Sequence, residues 1–145
     1  SQADTMGFSP LWFGCDGLDG ILTGVENWDT ELAEGVMLLT PFAADAKDDL
    51  TQNFVRKYVD AYGETPNQFA ADAYDAVYAI KAAAEAANLK PDMSISDMCE
   101  AMKTAMTTIS INGLTGADMT WTADGEPNKG PKAVEIVDGK YVLKE

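Results

Sequence analysis

The chain has 145 residues, of which 46% are hydrophobic and 23% charged, with a formal net charge of −14 and no histidine. Those totals describe a globular segment with a real core and exclude a disordered chain, and no apolar run approaches the ~20 residues a bilayer span requires. So acidic a surface repels phosphate backbones, which argues against nucleic acid and anionic membrane as partners and leaves solubility as the plain reading of the charge.

The N-terminus lacks a basic segment followed by an apolar one, so no signal peptide is visible, and Ser1-Gln2-Ala3-Asp4 reads as an internal cut. Leu11-Trp12-Phe13-Gly14-Cys15 is a short apolar run ended by Asp16-Gly17, which predicts a strand feeding a turn. Gly17, Gly20 and Gly24 break up the next stretch, and Trp28 to Ala33 suits one short helical turn. Val36 to Thr40 is a second apolar strand, preceded by Gly35 and ended by Pro41; its lack of alternation predicts burial on both faces, as in a parallel sheet.

A helix is expected from about Lys47 to Tyr62, with Leu50, Phe54, Tyr58 and Tyr62 on one face, Val55 and Val59 beside them, Asp45 as N-cap and Gly63 as stop. A second runs from about Pro66 to Ala87, opened by a Thr65/Gln68 capping box, with Ala70, Ala73, Tyr74, Val77, Lys81 and Ala84 as its stripe. A third, from about Ile95 to Thr107, is capped by Ser94 and Asp97 and turns Met98, Cys99, Met102 and Met106 inward. Two strands, Ala133 to Val137 and Lys140 to Leu143, flank Asp138-Gly139, a strong type I′ hairpin signal. Strands mixed with helices in this order imply an α/β fold, and two helices in succession without a strand between them suit a chain crossing between two lobes.

Cys15 and Cys99 are too few for a disulfide scaffold or a thiolate zinc site; one bridge between them stays open, but two buried free thiols are favoured. Without histidine there is no Ser-His-Asp, Cys-His or histidine-bearing metal site. Gly14, Gly17 and Gly20 give G-x-x-G-x-x-G, not the dinucleotide fingerprint, and no Walker A sequence is present. Twenty-four acids allow many carboxylate pairs, so no single pair singles out glycosidase chemistry. The loop Asp118 to Glu126 fails the EF-hand pattern and reads as solvated. No cofactor is implied. Asp16 stands out: it follows an apolar strand directly, and ligands of α/β sheets bind beyond the carboxyl ends of strands, where a carboxylate can receive an ammonium group. The competing reading is a turn aspartate bonded to its own backbone.

Several segments together resemble the branched-chain amino acid-binding family, the Leu/Ile/Val-binding proteins and their relatives. Gly14-Cys15-Asp16-Gly17 looks like the family's G-x-[DE]-G turn, and Glu34-Gly35-Val36 running to Thr40-Pro41-Phe42 like its crossover strand. Phe54 to Pro66, Ala73 to Val77 ("AYDAV") and Gly113 to Val142 match its next three segments in order. The resemblance implies a type I periplasmic-binding-protein fold: a three-layer α/β/α sandwich in two lobes, closing like a hinge on a solute. It implies that Ser1 to about Pro41 belong to the second lobe, about Phe42 to Ala117 to the first, and residues 118–145 to a crossover back ending in the hairpin.

The same resemblance gives Asp16 the ligand's α-ammonium, gives Phe69 a contact with the ligand, and puts Asp72 near the cleft mouth. It implies an amino acid as ligand, an ABC transporter permease as partner, no catalysis, and a periplasmic or extracellular location with a lipid anchor at the upstream end. A sensory domain of the same fold is the alternative; the ending after Tyr141-Val142-Leu143 reads as a natural C-terminus and favours transport. Family members are more than twice this long. A chain lacking their first part would carry open sheet edges, so a homodimer or a segment swap is expected.

Overall fold

The computed structural model describes residues 2–144. Ser1 and Glu145, the two ends of the chain, lie outside the described residues. The chain divides into two compact units, Ser1–Gln68 with Pro131–Glu145, and Phe69–Gly130.

The first unit is built on a four-stranded mixed sheet in the order β1 (Phe13–Gly14), β2 (Met37–Thr40), β3 (Lys132–Val137), β4 (Lys140–Lys144). β1 and β2 are parallel, while β2/β3 and β3/β4 are antiparallel. The expected strand at Leu11 to Cys15 shrinks to two residues, and Leu11, Trp12 and Phe13 stay exposed. β2 does not bury both faces: Leu38 and Thr40 are buried, whereas Leu39 is half-exposed. The reason is its pairing. It is parallel only to two-residue β1, and its other neighbour belongs to an antiparallel hairpin, a type of sheet that leaves one face open. The hairpin forms as expected, because Asp138 (φ 49°) and Gly139 (φ 68°) both take the positive φ that a type I′ turn demands. Leu38, Val134 and Ile136 form the buried centre of this unit, with Leu18, Trp28 and Tyr141 packed around it.

Before β2 the glycine-rich stretch forms only short pieces: α1 (Gln2–Thr5), α2 (Ile21–Gly24) and 3-10 turns at Asp16–Leu18 and Thr30–Ala33. After β2 comes α3 (Asp49–Tyr62). Its N-cap is Asp48, whose carboxylate accepts from the Thr51 N–H at 2.9 Å; Asp45 instead accepts from the Leu143 N–H on β4. Gly63 closes the helix with φ 76°, as expected. Thr51, Phe54, Val55 and Tyr58 turn inward, while Leu50, Val59 and Tyr62 are exposed. Phe42 meets Phe54 edge-on at 6.0 Å.

α4 (Gln68–Ala86) starts at Gln68, and the Thr65 capping box does not form, because the Gln68 N–H donates to Asp19 Oδ2 at 2.7 Å. The buried row of α4 in the second unit is Ala71, Asp75, Ala79 and Ala83, at i, i+4 spacing throughout, and Val77 and Lys81 face outward. A charged residue at the centre of this row defeats a hydropathy reading. Asp75 is buried because its two oxygens accept from the Leu114 N–H, the Thr115 N–H and the Thr115 hydroxyl at 2.7–2.8 Å. The alanines and Gly113 let the Gly113–Thr115 loop come this close; a Cβ on Gly113 would lie 2.5 Å from the Asp75 carboxyl.

α5 (Ile95–Met106) has the expected Ser94/Asp97 box: Ser94 Oγ accepts from the Asp97 N–H and donates to its carboxylate. Ala105 is its buried residue, with Met98, Met102 and Met106 half-buried. Cys99 falls one position off this row, and Cys15 lies just past the end of short β1. Both thiols are therefore free and exposed, not buried.

Two substitutions test these contacts. Asp75→Ala strands buried Leu114 and Thr115 amides, each worth about 1–3 kcal/mol, so the urea midpoint of the Phe69–Gly130 unit should fall sharply; Asp75→Asn, which keeps one acceptor oxygen, should fall less. In the first unit, Gln68→Leu should cost about 1–3 kcal/mol by removing one of the two partners of the Asp16 carbonyl and of the Thr40 hydroxyl, which keep the Asp19 N–H and the Phe42 carbonyl. An unchanged midpoint would show that the Gln68 bonds are dispensable.

Candidate functional site

Asp16 opens the 3-10 turn after β1, so its backbone leaves the sheet at the carboxyl end of a strand. Its side chain is exposed. The turn that presents it is tied down through the main chain: the Asp16 carbonyl accepts from the Asp19 N–H at 2.9 Å and from Gln68 Nε2 at 3.2 Å. Asp16 is thus the first residue of a braced turn, held by its backbone while its carboxylate faces solvent.

Gln68 is the organiser of this region. It is buried, with 1% of its surface exposed, and three polar groups converge on it. Its Nε2 donates to the Asp16 carbonyl, its Oε1 accepts from the Thr40 hydroxyl at 2.8 Å at the end of β2, and its backbone N–H donates to Asp19. Asp19 is half-buried. Burial raises its carboxyl above the ordinary value, and the Gln68 and Gly20 amides offset part of that rise. Tyr141 on β4 completes the frame, its hydroxyl accepting from the Gly20 N–H at 3.0 Å. Burial raises the Tyr141 hydroxyl as well.

Phe69 and Asp72 belong to the second unit, three residues apart on α4 and so on one face of the helix. Phe69 is half-exposed. Asp72 is paired: its Oδ1 accepts from Lys129 Nζ at 2.7 Å, in a bridge that is itself partly buried. Sequence reasoning does not single out Gln68 or Asp19. Gln68 reads as half of a capping box, and Asp19 carries no signal beyond being an acid near glycines. Among the described residues no group of three acids or cysteines is placed to hold a metal, and no helix is long and apolar enough to cross a membrane.

No curated protein matches the chain, but solved structures do. The leucine-binding protein LivK of Thermotoga maritima MSB8 superposes with a TM-score of 0.74 at 22% identity, over 99% of this chain and 39% of its own. The branched-chain amino acid substrate-binding protein LivJ of Streptococcus pneumoniae, solved with isoleucine, gives 0.75 at 24%, over 99% and 40%. An ABC-transporter solute-binding protein of R. palustris, solved with benzoate, gives 0.74 at 22%, over 97% and 36%. At these identities the likeness establishes the fold, a type I periplasmic-binding-protein α/β fold, and the chain spans about two-fifths of the length of these relatives. The family model described as periplasmic binding protein matches residues 1–140, nearly the whole chain. A match over that share of the sequence shows the family, and the chain belongs to the periplasmic binding protein family.

Proposed function

We propose that this chain is the ligand-binding region of a periplasmic or extracellular solute-binding protein that hands amino acids, branched-chain ones or close relatives, to an ABC importer. The observation that carries this reading is Asp16: an exposed carboxylate at the end of a strand, on a turn braced by Gln68, suited to receive an ammonium group. The solved relatives support the solute class, since one is named a leucine-binding protein and another was solved with isoleucine. In this reading Phe69 packs against the ligand's side chain. In the same reading Asp72, paired with Lys129, lies near the cleft mouth. The function is capture and delivery without catalysis, with an ABC permease as partner and a lipid anchor holding the protein at the membrane. The lobe division in this proposal is the one the family resemblance implies, residues 1–41 in the second lobe and about 42–117 in the first, with a return at 118–145; it differs from the two compact units, which divide at Gln68 and Pro131.

A panel of the twenty amino acids tests the reading by thermal shift, on a chain of the length its solved relatives have. One amino acid or a small set should raise the melting point with a concentration dependence that saturates. Asp16→Asn should weaken that binding by about 1.5–3 kcal/mol, the loss of one charge-assisted contact. Unchanged affinity would remove Asp16 from the site, and a flat panel would remove amino acids as the cargo.

β1 is an edge strand of two residues, and its own Phe13 and the preceding Leu11 and Trp12 are exposed. We propose that two copies pair or swap segments to cover that edge. Light scattering at tens of micromolar should give the mass of a dimer; a monomer mass counts against it.

A further inference from the structure

The first unit contains a cavity of about 480 Å³ that the proposed amino-acid site does not use. Its size is that of a small-molecule site, for which about 300–1,000 Å³ is usual. All its lining residues come from the first unit, and Asp16 is not among them. Its walls combine the aromatic rings of Phe42, Tyr58 and Tyr141 with the carboxylates of Asp19, Asp45 and Glu64. One lysine, Lys140, also reaches it, so acids outnumber bases three to one.

We propose that this cavity is a second ligand site, which takes a small organic cation: a primary ammonium carried on an aromatic or aliphatic body. The polarity follows from the acids. Asp19 and Asp45 are both half-buried and accept backbone N–H groups, Asp19 from Gln68 and Asp45 from Leu143. An ionised carboxylate has about four acceptor positions, so each retains capacity for an ammonium donor. Burial already disfavours the charged form of Asp19, and a cation beside it reverses that penalty. The body of the ligand follows from the rings, which offer apolar contact and faces attractive to a cation. A bare metal ion does not suit the cavity, because no three acids among the described residues are gathered closely enough to hold one.

The frame around the cavity is also anchored. The Tyr141 hydroxyl is held by the Gly20 N–H, and Asp45 is fixed to β4 through Leu143. Gly20 and Gly139 line the cavity and supply backbone amides that report on it, while Gly113 lies in the other unit and serves as control.

The experiment is a titration of the isotope-labelled chain, followed by amide NMR at about 0.15 M salt to screen the general attraction of so acidic a surface for cations. The probe is 2-phenylethylamine, and 3-phenylpropionate, of similar size and opposite charge, is its counterpart. The amine should shift the Gly20 and Gly139 amides saturably and leave Gly113 in place, and the carboxylate should shift none. Asp19→Asn with Asp45→Asn keeps an acceptor oxygen at both backbone contacts and should weaken the amine at least tenfold. Asp16→Asn should leave amine binding unchanged, which separates this site from the amino-acid site. If the double variant does not fold, the contrast between the two probes on the unaltered chain still decides. The proposal is overturned if the amine gives no saturable shift up to millimolar concentration, if its shifts spread over the surface, if the carboxylate binds as well, or if the folded double variant binds the amine undiminished.

Discussion

One buried amide side chain holds the candidate site together. Gln68 presents a donor at one end and an acceptor at the other, and each finds the partner that matches it: the Asp16 carbonyl and the Thr40 hydroxyl. An ionised carboxylate could not donate to Asp16, and an alkyl chain could do neither. Since Thr40 ends β2 and Asp16 begins the turn after β1, the two parallel strands have their carboxyl ends fixed by a residue far away in sequence. The Gln68 backbone N–H, which a helix start leaves without an intrahelical acceptor, is satisfied by Asp19, so the same residue closes the helix end as well. Any ligand chemistry at Asp16 depends on this brace, because a turn free to move would lose in ordering entropy what the carboxylate gains in contact.

Asp75 does for the second unit what Gln68 does for the first. A charge in the middle of an alanine row would be costly unpaired, yet three donors from one loop satisfy it. Gly113 is a geometric requirement of this contact: a Cβ there would lie 2.5 Å from the Asp75 carboxyl, so only glycine lets the loop backbone approach this closely. The segment read as "AYDAV" therefore has a structural meaning in this chain. Its aspartate anchors a loop, and the tyrosine before it packs against Tyr78 in a tilted arrangement, ring centroids 4.8 Å apart.

The chain belongs to the periplasmic binding protein family and is rich in acids, with 24 aspartates and glutamates. The acids divide into three kinds. Some are locked into the frame, as Asp75 and Asp48 are; some are paired, as Asp72 is with Lys129; and some, such as Asp16, stand at a strand end with an open carboxylate. Only position separates these kinds, since the residue type is the same.

Much of the architecture is legible in the residues. Periodicity locates the three long helices within two residues or so at each end, Asp138-Gly139 specifies the hairpin turn, and Ser94 with Asp97 specifies a cap, because all of these depend on neighbours in sequence. The ordered set of family segments, beginning with Gly14 to Gly17, points to the fold that the structure has. Tertiary structure alone decided the rest. It set which face of α4 is buried, which acid caps α3, and that β2 keeps one face open, since each depends on what packs or pairs from far along the chain. It also converted Gln68 from a capping residue into the brace of the Asp16 turn. A hydrogen bond across roughly fifty residues leaves no local pattern, and only the folded backbone brings its donor and acceptor within reach.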